Sequence, residues 1–319
     1  MKSIKIATVQ FNHKPGDKNY NLSVIESFCR QVAAKKAKMV VFPEMCITGY
    51  WHVRNLSKKQ IAELAENLES GESIKKLQKL SEELNIMIGA GLIEKTKKGK
   101  LYNTYVVLSP DGKRFSHRKL HCFISPFMDS GNEYTVFETP FGFKAGILIC
   151  YDNNIIENVR ITALMGADVI IAPHQTGGCN SRSPFSMKPI DPKLWENRQN
   201  DPMSIEKEIR GPNGREWLMR WLPSRAHDNG VFLIFSNGIG YDDGEVRTGN
   251  AMVIDCYGRI INETSQAKDD IVFAEIDLTM LEKCTGRRWI RGRRPDLYEL
   301  ISKKTGNELE PRAARFSEQ

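Results

Sequence analysis

The sequence predicts an α/β protein, and three observations carry that prediction. Short apolar runs of strand length alternate with stretches of helical periodicity along almost all of the 319 residues. No internal repeat, low-complexity tract or linker interrupts the alternation. Hydrophobic residues make up 40% of the chain and charged residues 27%, a balance ordinary for a globular protein of this length.

The elements can be justified in order. "IKIATVQF" (4–11) alternates as a strand, and Asp17 is placed to cap a helix running to about Ala37. "KMVVFPE" (38–44) reads as a buried strand ending at Glu44. Helical stretches follow Ser57 and Ser73, before the strand "IMIGAGLI" (86–93). "LYNTYVVLSPDGKRFSHRK" (101–119) reads as two strands joined at Pro110-Asp111-Gly112. "FKAGILICYD" (143–152) is a strand delivering Cys150 to its end. A helix near 155–165 stopped by Gly166 and the strand "ADVIIAP" (167–173) come next.

Residues 175–213 break the rhythm with Pro, Gly, Asn and Ser, and read as a long inserted loop. Phe185, Met187, Leu194 and Trp195 give it apolar anchors that a free linker would lack. It leaves from the rim of the strand ends, so an ordered cover over a pocket or a partner subunit is expected. Helix returns around "GREWLMRWLPSRAHDN" (214–229), and strands "VFLIFSN" (231–237), "GNAMVIDCYGRIINET" (249–264, a hairpin) and "DIVFAEID" (270–277) close the core. The reading is one domain over 1–319, with a basic extension from about residue 286.

The net charge of +7 is concentrated in "GRRWIRGRRPDLY" (286–298). No nucleic-acid fold signature accompanies it, so it reads as a solvated or intersubunit surface and no nucleic-acid partner is expected. No apolar run approaches the roughly 20 residues of a membrane span, and the N-terminus lacks a signal-peptide pattern. A soluble, cytoplasmic protein without a membrane partner is expected. Seven cysteines (29, 46, 122, 150, 179, 256, 284) are odd in number and contain no C-x-x-C pair, against both a disulfide framework and a zinc ribbon. His117, His121 and Cys122 cluster in sequence without spaced partner ligands, so no metal or other cofactor is expected.

Three residues share one address, the ends of strands, where α/β folds collect their ligand sites. They are Glu44, Lys119 and Cys150. A carboxylate can take the proton of a thiol and later activate water. An ammonium and the N–H after the cysteine can stabilise an oxyanion. Singly, the two charges would read as solvated strand ends. Together they suit nucleophilic catalysis.

"FPEMCITGY", "HRKLH" and "GILICYDNN" resemble, in order and spacing, the three signature segments of the nitrilase superfamily of carbon–nitrogen hydrolases. "RAHDNGVFLIFSNGIG" and "GNAMVIDCYGRII" look like later landmarks of the same family, so the resemblance covers nearly the whole chain. It implies a four-layer αββα sandwich that dimerises or assembles further with its own copies. It also implies Cys150 as nucleophile, Glu44 as general base and Lys119 as the oxyanion-stabilising cation. Many members carry a second glutamate soon after the lysine; here the region reads "KLHCFISPFMDSGNEY", leaving Asp129 or Glu133 as substitutes, or the role absent. "CYDNN" looks like the amidase branch. The implied activity is hydrolysis of a linear amide or N-carbamoyl group with release of ammonia; a nitrilase, or a silent binding or redox protein on the same fold, are the alternatives. Tyr50, Tyr151 and His174, just beyond strand ends, are the expected substrate-binding residues.

Overall fold

A computed structural model describes residues 3–316; residues 1–2 and 317–319 of the expected single domain lie outside the described residues. The strands β1 (Ser3–Phe11), β2 (Met39–Val41), β3 (Met87–Lys95), β4 (Leu101–Leu108) and β5 (Arg114–Arg118) make one half of the sheet, in the order β5-β4-β3-β2-β1. The other half, built from β6 (Thr135–Glu138), β7 (Lys144–Ile147), β8 (Val169–His174) and β9 (Phe232–Asp242), runs β9-β8-β7-β6. The halves meet where β1 pairs with β9 through Gln10 with Asn237 and Phe11 with Gly238. The strands β10 (Glu245–Thr248) and β11 (Met252–Ile254) pair with β9, β12 (Ile260–Glu263) pairs with β11, and β13 (Asp270–Asp277) runs antiparallel to β1.

Strand parity explains the layers, because successive side chains point to opposite faces. Ile4, Ile6, Met39, Val41 and Met87 from the first half enter the same apolar cluster as Ala145, Ile147, Val169, Ile171, Phe232 and Ile234 from the second. That cluster is the interior between the two halves of the sheet. The alternate residues Ala7, Val9, Val40, Ile88 and Ala90 pack instead with Ile25, Phe28, Val32, Ile74 and Leu77. These last belong to α1 (Lys18–Ala34) and α3 (Glu72–Leu84), with α2 (Lys58–Leu64) between them in sequence. On the far side, Ala172, Leu233 and Phe235 pack with Leu218, Leu222 and Ala226 of the helices Arg215–Met219 and Leu222–His227. Val159 of α4 (Ile156–Leu164) covers Ile170 there. The result is the four-layer αββα sandwich.

Local chemistry sets the boundaries. Asp17 caps α1 by accepting from the Tyr20 N–H at 3.0 Å. The helix ends at Ala34 rather than near Ala37, because Lys36 turns to φ +59°. The segment 175–213 is not a bare loop. Asp191 and Asp201 each cap a helix begun by proline, Pro192–Glu196 and Pro202–Arg210. Trp195, Ile205 and Ile209 seat these helices on Ile239 and Val246 of the β9–β10 ribbon. Phe185, expected as an anchor, is instead 80% exposed.

Candidate active site

Glu44 stands three residues beyond β2, in a turn whose next residue, Met45, has φ +44°. The turn crowds β3: a side chain at Gly91 would place its first carbon 2.2 Å from the Met45 nitrogen, so only glycine fits. The Glu44 carboxylate is fully buried. Its Oε1 accepts from Lys119 Nζ at 2.6 Å and from Asn103 Nδ2 at 2.6 Å. Lys119 is fixed in turn by its own N–H, which donates to the Asn103 carbonyl at 2.8 Å.

Cys150 is reached differently. β7 ends at Ile147, Ile149 is extended, and Cys150 then adopts φ +48°, opening a tight 3-10 turn over Cys150–Asn153. A non-glycine residue in this left-handed region costs about 1–2 kcal/mol, so the surroundings must hold it. Asp152 does so. Its Oδ2 accepts from the N–H of Ile149 at 3.1 Å and of Leu120 at 3.2 Å, while Oδ1 accepts from the N–H of His121 at 2.9 Å and meets His121 Nδ1 at 3.0 Å. Asn153 Nδ2 donates to the Leu148 carbonyl at 2.7 Å. One buried carboxylate thus ties the lysine's loop to the cysteine's turn.

Burial decides the titration. It pushes the Cys150 thiol up to about 12, with the Glu44 charge adding to the rise and Lys119 opposing it. Burial also raises Glu44 above the ordinary carboxylate range, against the pull of Lys119 and Asn103. Lys119 is held well above its ordinary value: burial works against the ammonium, but the acidic groups around it, Glu44 foremost and then Tyr50, Cys150 and Asp152, together outweigh it. Asp152 stays well below the carboxylate range; burial opposes its charge, and the neighbouring His117, at 3.6 Å, and His121, at 3.0 Å, with Lys119, outweigh it. The resting site therefore holds a neutral thiol beside a carboxylate that is a stronger base than one in water.

The three expected substrate-binding residues fall in different places. Tyr50 is buried, its hydroxyl accepting from Lys119 Nζ at 3.3 Å. Tyr151 is half-buried and edge-on to Phe123, ring centroids 5.7 Å apart. His174 lies behind the nucleophile turn, against Phe235 at 4.7 Å and accepting from Asn153 Nδ2 at 3.2 Å. Burial drives its pKa down to about 3, so it is a neutral support for that turn. Asp129 and Glu133 are both exposed, and Asp129 pairs with Lys100 at 3.4 Å, so neither joins the buried cluster of Glu44, Lys119 and Cys150. His117 and His121 serve Asp152.

Sequence reasoning missed Asn103, Gln175 and Phe123. Gln175 Nε2 donates to the Glu44 carbonyl at 2.9 Å, and the Gln175 backbone N–H lowers the Cys150 thiol. The Phe123 ring lies 4.7 Å from Lys119 Nζ. Asn103 sits within a strand and carried no turn or motif signal; Gln175 directly follows the strand-end His174 and was readable by position.

Residues 5–285 match the family model described as carbon-nitrogen hydrolase. The chain is 26% identical over 281 residues to a nitrilase of Pyrococcus abyssi, covering 87% of this chain and 91% of that one. It is 28% identical over 318 residues to the human omega-amidase NIT2, covering 95% and 100%. In fold it resembles the amidase of Nesterenkonia sp. AN1, with TM-score 0.65, 18% identity and coverage of 90% and 96%; that glutamate-to-glutamine mutant carries the acetamide moiety of fluoroacetamide covalently at its active site cysteine.

Proposed function

The chain belongs to the carbon–nitrogen hydrolase family, and from that premise we propose that it hydrolyses a linear amide or N-carbamoyl group through a thioester on Cys150. The observation that carries the reading is the convergence of Cys150, Glu44 and Lys119 in one buried cluster. Its relatives include an omega-amidase and an (R)-stereoselective amidase, and a relative in fold carries the acetamide moiety of fluoroacetamide on its active site cysteine.

The geometry supports this sequence of steps. Glu44 takes the Cys150 proton as the sulfur attacks the carbonyl carbon. The oxyanion faces the Lys119 ammonium and the Tyr151 N–H. Glu44 returns the proton to the leaving nitrogen, the C–N bond breaks, and ammonia departs. Water, deprotonated by Glu44, then attacks the thioester; the C–S bond breaks, Glu44 returns the proton to the departing sulfur, and the products are the free thiol and the carboxylic acid, or the carbamic acid from an N-carbamoyl group. Tyr50 orients Lys119, and Tyr151 lines the accessible side.

Among the described residues no helix is long and apolar enough to cross a membrane; we place the protein in the cytoplasm, and expect its partner to be a small molecule. We also infer a homodimer, supported by the apolar face that α4 leaves uncovered just after the nucleophile turn: Ile156, Leu164 and Met165 are 58%, 44% and 47% exposed. A nitrilase is the second reading, supported by the relative from Pyrococcus abyssi. Offering one acyl group as both amide and nitrile separates the two: ammonia release from the amide at the higher kcat/KM supports the proposal, and release from the nitrile alone overturns it.

A further inference from the structure

The basic extension from residue 286 does not end as a free surface. Residues 301–310 are exposed throughout, yet the helix Pro311–Phe316 that follows is half-buried at every residue but Ala314. A segment that leaves the body and returns to it is held by specific contacts. Arg312 Nη1 donates to the Phe123 carbonyl at 2.8 Å, Arg315 Nη2 donates to the Asn180 carbonyl at 3.0 Å, and the Arg182 guanidinium donates to the Phe316 carbonyl. The Phe316 ring meets Phe123 edge-on, centroids 5.9 Å apart at 77°.

Where these contacts fall is the point. Phe123 lies on the segment that leaves Lys119, and its ring also faces Lys119 Nζ at 4.7 Å and Tyr151 at 5.7 Å. Asn180 and Arg182 lie on the segment that leaves Gln175, the residue hydrogen-bonded to the Glu44 backbone. The helix therefore bridges the two segments that diverge from the catalytic cluster. Phe316 joins the same apolar cluster as Tyr50, Trp51, Cys122 and Tyr151. Tyr151 is the half-exposed member of the site, whereas Glu44, Lys119 and Tyr50 are buried. The member of the site nearest solvent therefore shares its apolar cluster with the helix.

We propose that the helix Pro311–Phe316 forms the outer wall of the acyl pocket, and that Phe316, through Phe123, limits the length of acyl group the site admits. The inference rests on the amidase reading for its substrate, but the wall itself does not depend on turnover. Its pins are hydrogen bonds to neutral carbonyls. Among the described residues none of Arg182, Arg312 and Arg315 is ion-paired to a carboxylate. The helix is a strap over the site.

The test uses Phe316→Ala in the full chain, with a chain truncated after Glu310 as the more severe variant. The readout is kcat/KM along straight-chain primary amides from acetamide to octanamide. Removing a large side chain from a pocket wall shifts discrimination by about tenfold or more, so the ratio for hexanamide over acetamide is expected to rise about tenfold in both variants. A ratio unchanged within about twofold overturns the proposal. Alkylation of Cys150 gives a second readout that needs no catalysis: the rate with N-phenylmaleimide, relative to iodoacetamide, is expected to rise in both variants. An unaltered relative rate contradicts the wall. If the unaltered chain turns over no amide, the amidase reading fails while the alkylation comparison still decides the wall.

Discussion

Lys119 and Glu44 form a fully buried ion pair, Nζ to Oε1 at 2.6 Å, with neither side chain exposed. Glu44 Oε2 has no hydrogen-bond partner among the described residues. One oxygen is thus committed to holding the lysine, and the other is left for chemistry beside the Cys150 thiol. Breaking a buried pair by removing one partner costs several kcal/mol, about 3–5, so this arrangement is demanding to build as well as useful.

Glu44→Gln keeps the shape of the carboxylate but loses the base, and Lys119→Met loses the cation. Each is expected to lower kcat by at least about 10²-fold, the scale of a general base or an oxyanion donor. Steady-state ammonia release measures it. Near-normal turnover in either variant would remove that residue from its role.

The pH dependence follows from Glu44. Burial raises its folded pKa above the ordinary carboxylate value of 4.5, and the base acts only when ionised. Activity is therefore lost as pH falls through that raised value, so the acid limb of kcat/KM lies above pH 4.5. The thiol, pushed up to about 12, adds no limb near neutrality. A profile flat down to the range of a solvent carboxylate contradicts the buried-base account.

Asp152 is a positioning residue, accepting three backbone N–H groups from Ile149, Leu120 and His121. Asp152→Asn should loosen both the cysteine turn and the lysine loop. The expected outcome is a loss of about 10-fold or more in kcat with a smaller change in KM, and a lower Tm. A fall in Tm with kcat intact would make the residue purely structural.

Much of this was legible in the chain. Cys150 and Glu44 were readable because each follows an apolar run, and Lys119 because it follows the strand segment RFSHR; strand ends are where α/β sites collect. The alternation in residues 4–11 foretold a strand; that Ile4 and Ile6 enter one apolar cluster and Ala7 and Val9 the other is what the structure adds. The four-residue strands β6 and β10 were missed, being too short to show a period. Two helix starts were present as Asp191-Pro192 and Asp201-Pro202 but read as loop punctuation, since proline marks both. The strap was not readable at all: Arg312 finds its partner 189 residues away, at a backbone carbonyl that no side-chain pattern announces.

The central claim is that carbon–nitrogen cleavage passes through an acyl group on Cys150, and mass spectrometry of acid-quenched enzyme tests it most directly. The unaltered enzyme, quenched in acid during turnover of butyramide, should carry the thioester that Glu44-activated water would otherwise clear. The account predicts a mass increase equal to the butyryl group, mapping to the peptide that contains Cys150 and absent from Cys150→Ala. An adduct on another residue, or ammonia release that persists in Cys150→Ala, would contradict it.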